Sequence, residues 1–209
     1  MKYTAIRVYK ERQEILDHLL RLPLNDRYLR FCNTLSDEGI QRYVDRIDLR
    51  STSGEACFAV FDDNRNIVGL CHVARYVDDA ESAELALSVD NNFRKNGIGD
   101  ILFHRGLLHC ESLGIKKIYM NCLSSNTPVQ KLARRHSMKV TTDYGESVAA
   151  LNLNDRNAVV AFLESVQNDT MGLYDTNLRH ATSQWKNYIA TLNQIVARSV
   201  GLNGSTEEK

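Results

Sequence analysis

Apolar and polar positions alternate over residues 3–9, with Ile6 and Val8 on one side, and predict a short first strand. Over 11–22, Ile15, Leu16, Leu19 and Leu20 fall at helical spacing, and Pro23 ends the run. The next residues, 24–31, mix apolar and basic side chains densely and read as a connector clamping one helix to another. Ser36 is a suitable N-cap, with Asp37 and Glu38 in the favourable first turn, for a helix carrying Ile40, Tyr43, Val44 and Ile47. Residues 56–61 and 67–76 read as two strands joined by the polar turn 62–66, a hairpin. An acidic loop with Asp78, Asp79 and Glu81 then leads into an apolar strand from Ala83 to Val89.

After that strand come a basic turn with two glycines, Gly97 and Gly99, and a helix expected to begin near Gly97 and stop at Gly114. The strand at 115–123 follows, and Thr127 with Pro128 behind it predicts the cap and first position of a helix bearing Val129, Leu132 and Ala133. Residues 138–153 read as two strands around Tyr144, Gly145 and Glu146. Beyond 153 the pattern turns helical. One helix is expected over 155–167 and a second from about 174 to 200, where Ala181, Trp185, Tyr188, Leu192 and Ile195 recur at alternating steps of four and three. That seam needs a covering surface, either its own domain or a second copy of the chain in a homodimer. The organisation expected is a domain over 1–153, a C-terminal helical hairpin over 154–200 and a frayed tail over 201–209.

The strand, turn and helix around Gly97 make a candidate anion site. The first N–H groups of a helix have no intrahelical partners, Gly97 and Gly99 have no Cβ to hold a phosphate away, and Arg94 and Lys95 add positive charge. A P-loop is excluded, because Asp100 and Ile101 follow Gly99 where Lys-Ser/Thr is needed; a dinucleotide fingerprint is excluded because a third glycine is missing.

Composition narrows the classes further. Lys plus Arg and Asp plus Glu both number 26, so bulk charge gives no reason to expect a nucleic-acid or membrane-surface partner. The five cysteines show no CxxC spacing and sit mostly in apolar runs, as buried thiols of a reducing cytoplasm do. With no apolar leader at the start and no run approaching 20 apolar residues, a cytoplasmic protein is expected. The six histidines lack ligand spacing, so no metal is expected.

The turn Arg94-x-x-Gly97-x-Gly99, between a strand ending in Val89 and an amphipathic helix, resembles the acetyl-coenzyme A loop of the GNAT acetyltransferase superfamily. The order of elements over the first 153 residues resembles that family too. So do the run Asp26-Arg27-Tyr28-Leu29-Arg30-Phe31, the Ala83-Glu84 opening of the central strand, and Asn126 followed by Val129 and Leu132, which are closest in pattern to the bacterial protein lysine acetyltransferases. The resemblance implies an α/β (α+β) GNAT fold, a mixed and mostly antiparallel sheet flanked by helices, here with a C-terminal helical extension. It also implies acetyl-CoA as acyl donor and a primary amine, on a protein lysine or a small cationic molecule, as acceptor. A catalytically weak acyl-CoA-binding sensor or scaffold, acting through the helical tail, is the alternative.

From the resemblance, the main chain at Lys95, Asn96, Gly97, Ile98 and Gly99 holds the pyrophosphate with Arg94, and Asn126 contributes from the last motif. The central strand is expected to bulge and free donors around Leu87 and Val89 for the thioester oxygen and the pantetheine amides. Glu84, a carboxylate opening an apolar strand, is the candidate general base; a solvated strand-edge acid is its bland reading. Asp100, too close to a phosphate for comfort, is expected to point away. Seven residues after Asn126, where many relatives carry a tyrosine that protonates the departing thiolate, stands Ala133, leaving Ser125, Tyr144, water or no acid at all. His72 and His136 are read as a core-proximal strand residue and a helix-end residue.

Overall fold

A computed structural model describes residues 3–51 and 54–153; the expected C-terminal hairpin and tail lie outside the described residues. The elements are β1 (Ile6–Val8), α1 (Arg12–Arg21), α2 (Leu24–Phe31), α3 (Asp37–Arg46), β2 (Ala56–Phe61), β3 (Ile67–Arg75) and β4 (Ser82–Val89). A 3-10 turn at Asn91–Phe93 leads to α4 (Ile98–Ser112), β5 (Lys117–Leu123), α5 (Thr127–Arg135), β6 (Lys139–Asp143) and β7 (Glu146–Asn152). The mixed sheet flanked by helices is the α/β architecture that the resemblance implies, with one helix added to the predicted order.

That addition is α2, where a connector was expected. None of its eight residues is buried, so no apolar stripe announces it. Pro23 occupies the cap position, its carbonyl accepting from the Arg27 N–H at 2.9 Å, and Cys32 ends the helix in the left-handed region at φ 53°. Arg27 fastens the helix through Leu22 O at 3.0 Å and Asp37 at 2.5 Å. Ser36 caps α3 as expected, its Oγ accepting from the Gly39 N–H at 3.2 Å. For α5 the cap is one residue earlier than predicted: Asn126 Oδ1 accepts from the Val129 N–H at 3.4 Å, and Thr127 is already the first helical residue.

The strands run in the order β1-β2-β3-β4-β5-β7-β6. Every pairing is antiparallel except β4 with β5, which are parallel. This parallel contact is short, spanning only Ser82↔Lys117, Ala83↔Ile118 and Glu84↔Tyr119, after which the two strands part. β4 stays paired with β3 along its whole length, from Gly69↔Val89 to Arg75↔Ala83, in one unbroken register. The bulge expected around Leu87 to Val89 is therefore not present as a register shift; the one shift between β2 and β3 lies at Val60/Phe61. The parting of the strands, rather than a bulge, leaves the end of β4 without a strand partner on that side. The bonds Tyr76 N→Ser82 O (3.1 Å) and Asp90 N→Val68 O (2.9 Å) continue the ladder at both ends. Even-numbered residues of β4 thus aim their main-chain groups at β3, and Leu87 and Val89, past the last pair with β5, aim theirs into the gap.

Helices cover both faces. On one, Ile15 and Leu19 of α1 and Ile40 and Val44 of α3 pack with Cys57, Ala59, Ile67 and Leu70. On the other, Leu102, Phe103 and Leu107 of α4 pack with Phe58, Val73, Leu85 and Ile118. Each large side chain so buried contributes roughly 1.5–3 kcal/mol. Two glycines let α4 lie unusually close: a Cβ on Gly69 would stand 2.6 Å from Ile98 Cγ2, and one on Gly106 would stand 2.8 Å from Leu85 Cδ2. This approach fixes the N-terminus of α4 beside the open edge of β4.

Candidate active site

The turn before α4 exposes main-chain donors by construction. Lys95 and Gly97 both lie in the left-handed region, at φ 64° and 77°, and Gly97 is the cap residue with no side chain closing the helix end. The first helical bond is Ile101 N→Gly97 O at 3.0 Å. Among the described residues, the N–H groups from Lys95 to Asp100 have no hydrogen-bond partner. Nothing lies within 4 Å of where a Gly97 Cβ would be, so the space in front of these donors is open. Asn96 braces the turn, its amide donating to Phe93 O at 3.1 Å. Asp100, expected to point away, lines the cleft that these donors face, with its carboxylate bound to Arg135 Nη1 at 2.5 Å and His136 Nε2 at 3.1 Å.

These donors open onto a cleft of about 670 Å³ lined also by the end of β4, by α2 and by α5. Of the predicted donor-binding residues, Leu87, Val89, Arg94, Lys95, Gly97, Ile98, Gly99 and Asn126 line it, and Asn96 does not. Sequence reasoning missed a second wall: Leu22 just after α1, Asp26, Leu29 and Arg30 of α2, and Lys131, Leu132 and Arg135 of α5. The signal for the first group was the run Asp26–Phe31, quoted for its resemblance but not recognised as a helix. Arg94 is not free in the cleft. Its Nη2 pairs with Asp26 Oδ2 at 2.9 Å and its Nε donates to Val89 O at 3.1 Å, linking α2 to the turn. The Asn126 amide ties the other end of α2 to α5 by donating to Leu29 O at 3.3 Å.

Glu84 stands where β4 and β5 make their last pair, at the closed end of the gap and outside the lining of the large cleft. It is half-buried, and its carboxylate has no hydrogen bond or ion pair to another described residue. Its face of the sheet also carries a polar chain. Arg30 Nη2 donates to Tyr43 Oη at 2.9 Å, Tyr43 Oη meets His72 Nδ1 at 2.8 Å, and His72 Nε2 meets Glu55 Oε1 at 2.8 Å. A carboxylate only accepts, so the proton on His72 Nε2 faces Glu55. The His72 bond holds the Glu55 carboxyl below its usual range against the opposing effect of burial, while burial pushes the Tyr43 phenol up. Cys32 is close enough to Glu84 and Glu146 for both to raise its thiol pKa, after burial, the larger cause.

On the same face His18 of α1 is fully buried, with Nδ1 2.9 Å from Ile67 O and Nε2 2.9 Å from Ser88 Oγ. Burial pushes it down to about 4, so the ring is neutral near pH 7 and Nε2 accepts the Ser88 hydroxyl proton. His72 and His136 hold the places expected: the first lies within β3, and the second ends α5, stacked on Phe103 with centroids 4.2 Å apart. Of the candidate acids, Tyr144 is fully exposed at the β6–β7 turn and Ser125 does not line the cleft, while Ala133 is buried in the core. The acidic loop is occupied as well. Asp79 accepts from Ser82 Oγ at 2.6 Å, and Glu81 pairs with Lys116.

The model of the acetyltransferase (GNAT) family matches residues 20–138. Among solved structures, the GNAT domain of S. lividans PAT is similar with a TM-score of 0.62 at 14% identity, over 71% of this chain and 89% of that one. A GNAT-family acetyltransferase from Staphylococcus aureus Mu50 gives a TM-score of 0.59 at 18% identity, over 73% and 99%. A phosphinothricin acetyltransferase from Sinorhizobium meliloti, in complex with AcCoA, gives 0.56 at 13%, over 73% and 89%. At such identities the likeness is one of fold. Comparison with curated proteins finds no match.

Proposed function

The chain belongs to the acetyltransferase (GNAT) family, and from that premise we propose that it moves the acetyl group of acetyl-CoA to a primary amine by direct attack in a ternary complex. The observation that carries this reading is the run of unpartnered N–H groups from Lys95 to Asp100, opening onto a cleft continuous with the free edge of β4. The turn holds the pyrophosphate, with up to about 2 kcal/mol from the helix dipole in a sheltered geometry. The Leu87 and Val89 main chain pairs with the pantetheine amides as an added strand would, and donors on this edge meet the thioester oxygen where negative charge develops.

Glu84 is the base. It takes the proton from the acceptor ammonium, directly or through one water, and the freed amine attacks the acetyl carbon. The C–N bond forms, the C–S bond breaks, and the thiolate leaves carrying the electron pair; with Ala133 in place of a tyrosine, the second proton of the acylated nitrogen passes through water to the thiolate. The acceptor is an amine on a protein lysine or a small molecule. Five cysteines without disulfides support placing the reaction in the cytoplasm.

Ala133 also supports a second reading, a module that binds the acyl donor as a sensor or scaffold without turnover. Thiol release from acetyl-CoA with a panel of amines separates the two. For the enzyme, Glu84→Gln lowers kcat about 100-fold or more while acetyl-CoA affinity stays within about twofold. Saturable binding with no turnover, indifferent to Glu84→Gln, leaves only the sensor.

A further inference from the structure

Arg30 is a cation held in an apolar and aromatic setting without a counter-ion. Its guanidinium carbon lies 5.0 Å from the Phe31 ring centroid and 5.6 Å from that of Tyr43. Its Nη2 donates to the neutral Tyr43 hydroxyl, its Nε is buried with no partner, and no carboxylate pairs with it among the described residues. Asp26, one helical turn earlier, is spaced to neutralise it, yet the Asp26 carboxylate is engaged by Arg94. A half-buried charge left uncompensated, with its Nε fully buried, is costly, and such a group in a cleft wall suits an anion that arrives with a ligand.

Its position says which ligand. α2 crosses the cleft from Asp26, beside the phosphate-binding turn, to Leu29, whose carbonyl is tied to Asn126. Arg30 lies beyond the turn's own anion site: its partner Tyr43 meets His72, which pairs across β3 and β4 with Ala86, two residues from Glu84 on the same face of the sheet. A planar guanidinium fork fixed by aromatic faces matches a carboxylate bidentately. Tyr43, His72 and Glu55 hold that fork in place before anything binds.

We infer that the acceptor is a small amine that also carries a carboxylate, its ammonium facing Glu84 and its carboxylate received by Arg30. This deepens the acetyl-transfer reading and rests on it. The test compares the α-amino acids, as a panel, with their decarboxylated amines, by thiol release from acetyl-CoA. The best amino acid is expected to exceed its decarboxylated partner at least tenfold in kcat/KM. Arg30→Met erases that difference through the acceptor KM, Arg30→Lys restores part of it, and the KM for acetyl-CoA moves by less than about twofold. Tyr43→Phe, which frees the fork, raises the acceptor KM with less effect on kcat. Decarboxylated amines or lysine peptides performing as well as amino acids, or Arg30→Met lowering both classes alike, overturns the assignment while leaving acetyl transfer intact. If Arg30→Met does not fold, the wild-type comparison alone decides. Acetyl-CoA binding with no amine acetylated overturns the acetyl-transfer reading itself and this inference with it.

Discussion

His18 shows how one side chain can set the acid limit of the protein. Burial is the main cause holding it at about 4, against an unfolded value near 6.5, and its bond to Ile67 O opposes the shift only in part. The unfolded chain binds this proton first as pH falls. Stability is therefore fully present above about 6.5 and is lost progressively down to about 4, by about 3 kcal/mol in all. Urea midpoints between pH 7 and pH 4.5 should fall steeply for the wild type. For His18→Gln they should start lower, since the bonds to Ile67 and Ser88 are altered, but decline less over the same interval. Equal slopes for the two proteins would place the acid sensitivity elsewhere.

At the scale of elements, the seat of α4 depends on what is missing from β3. Gly69→Ala puts a methyl group 2.6 Å from Ile98 Cγ2, at the first residue of the helix. It should destabilise the fold by about 1–3 kcal/mol and weaken coenzyme A binding, because the helix end carrying the donors must shift. Urea unfolding and calorimetric titration measure the two effects. The link between α2 and the turn acts in the opposite sense. Asp26 shares Arg94 with any anion bound there, and partly exposed pairs are worth about 1 kcal/mol at most. Asp26→Asn should therefore tighten coenzyme A binding by up to about fivefold, and looser binding would mean that the pair positions Arg94 instead.

These same elements mark where the sequence was legible and where it was not. Apolar spacing announced α1 and α3, alternation or apolar runs between polar turns announced the strands, and the glycine pair announced the turn before α4, because burial and backbone freedom leave marks in the sequence. α2 left none, since it buries no residue fully and is held by Arg27 and by the Asn126 amide, contacts that no local pattern encodes. With it went the recognition of Asp26 and Arg30 as walls of the cleft. The expected bulge at Leu87 to Val89 came from resemblance alone, and the parting of β4 from β5 takes its place. Glu84, named from its place at the head of the strand, falls at the vertex of that parting.

Across the whole molecule, the sheet is covered by helices on both faces and is continuous except along one edge of β4. A pantetheine chain laid against that edge would complete the ladder, so acetyl-CoA should raise the melting temperature, by an amount set by its concentration over Kd. No helix among the described residues is long and apolar enough to cross a membrane.

The parting of β4 from β5 also leaves a signature with a period of two. In heavy water, the amides of Leu87 and Val89 should trade their hydrogens quickly while those of Ala86 and Ser88, tied to β3, hold theirs. Adding the acyl donor should slow the fast pair and leave the slow pair unchanged, turning a zigzag of deuterium uptake into an even line.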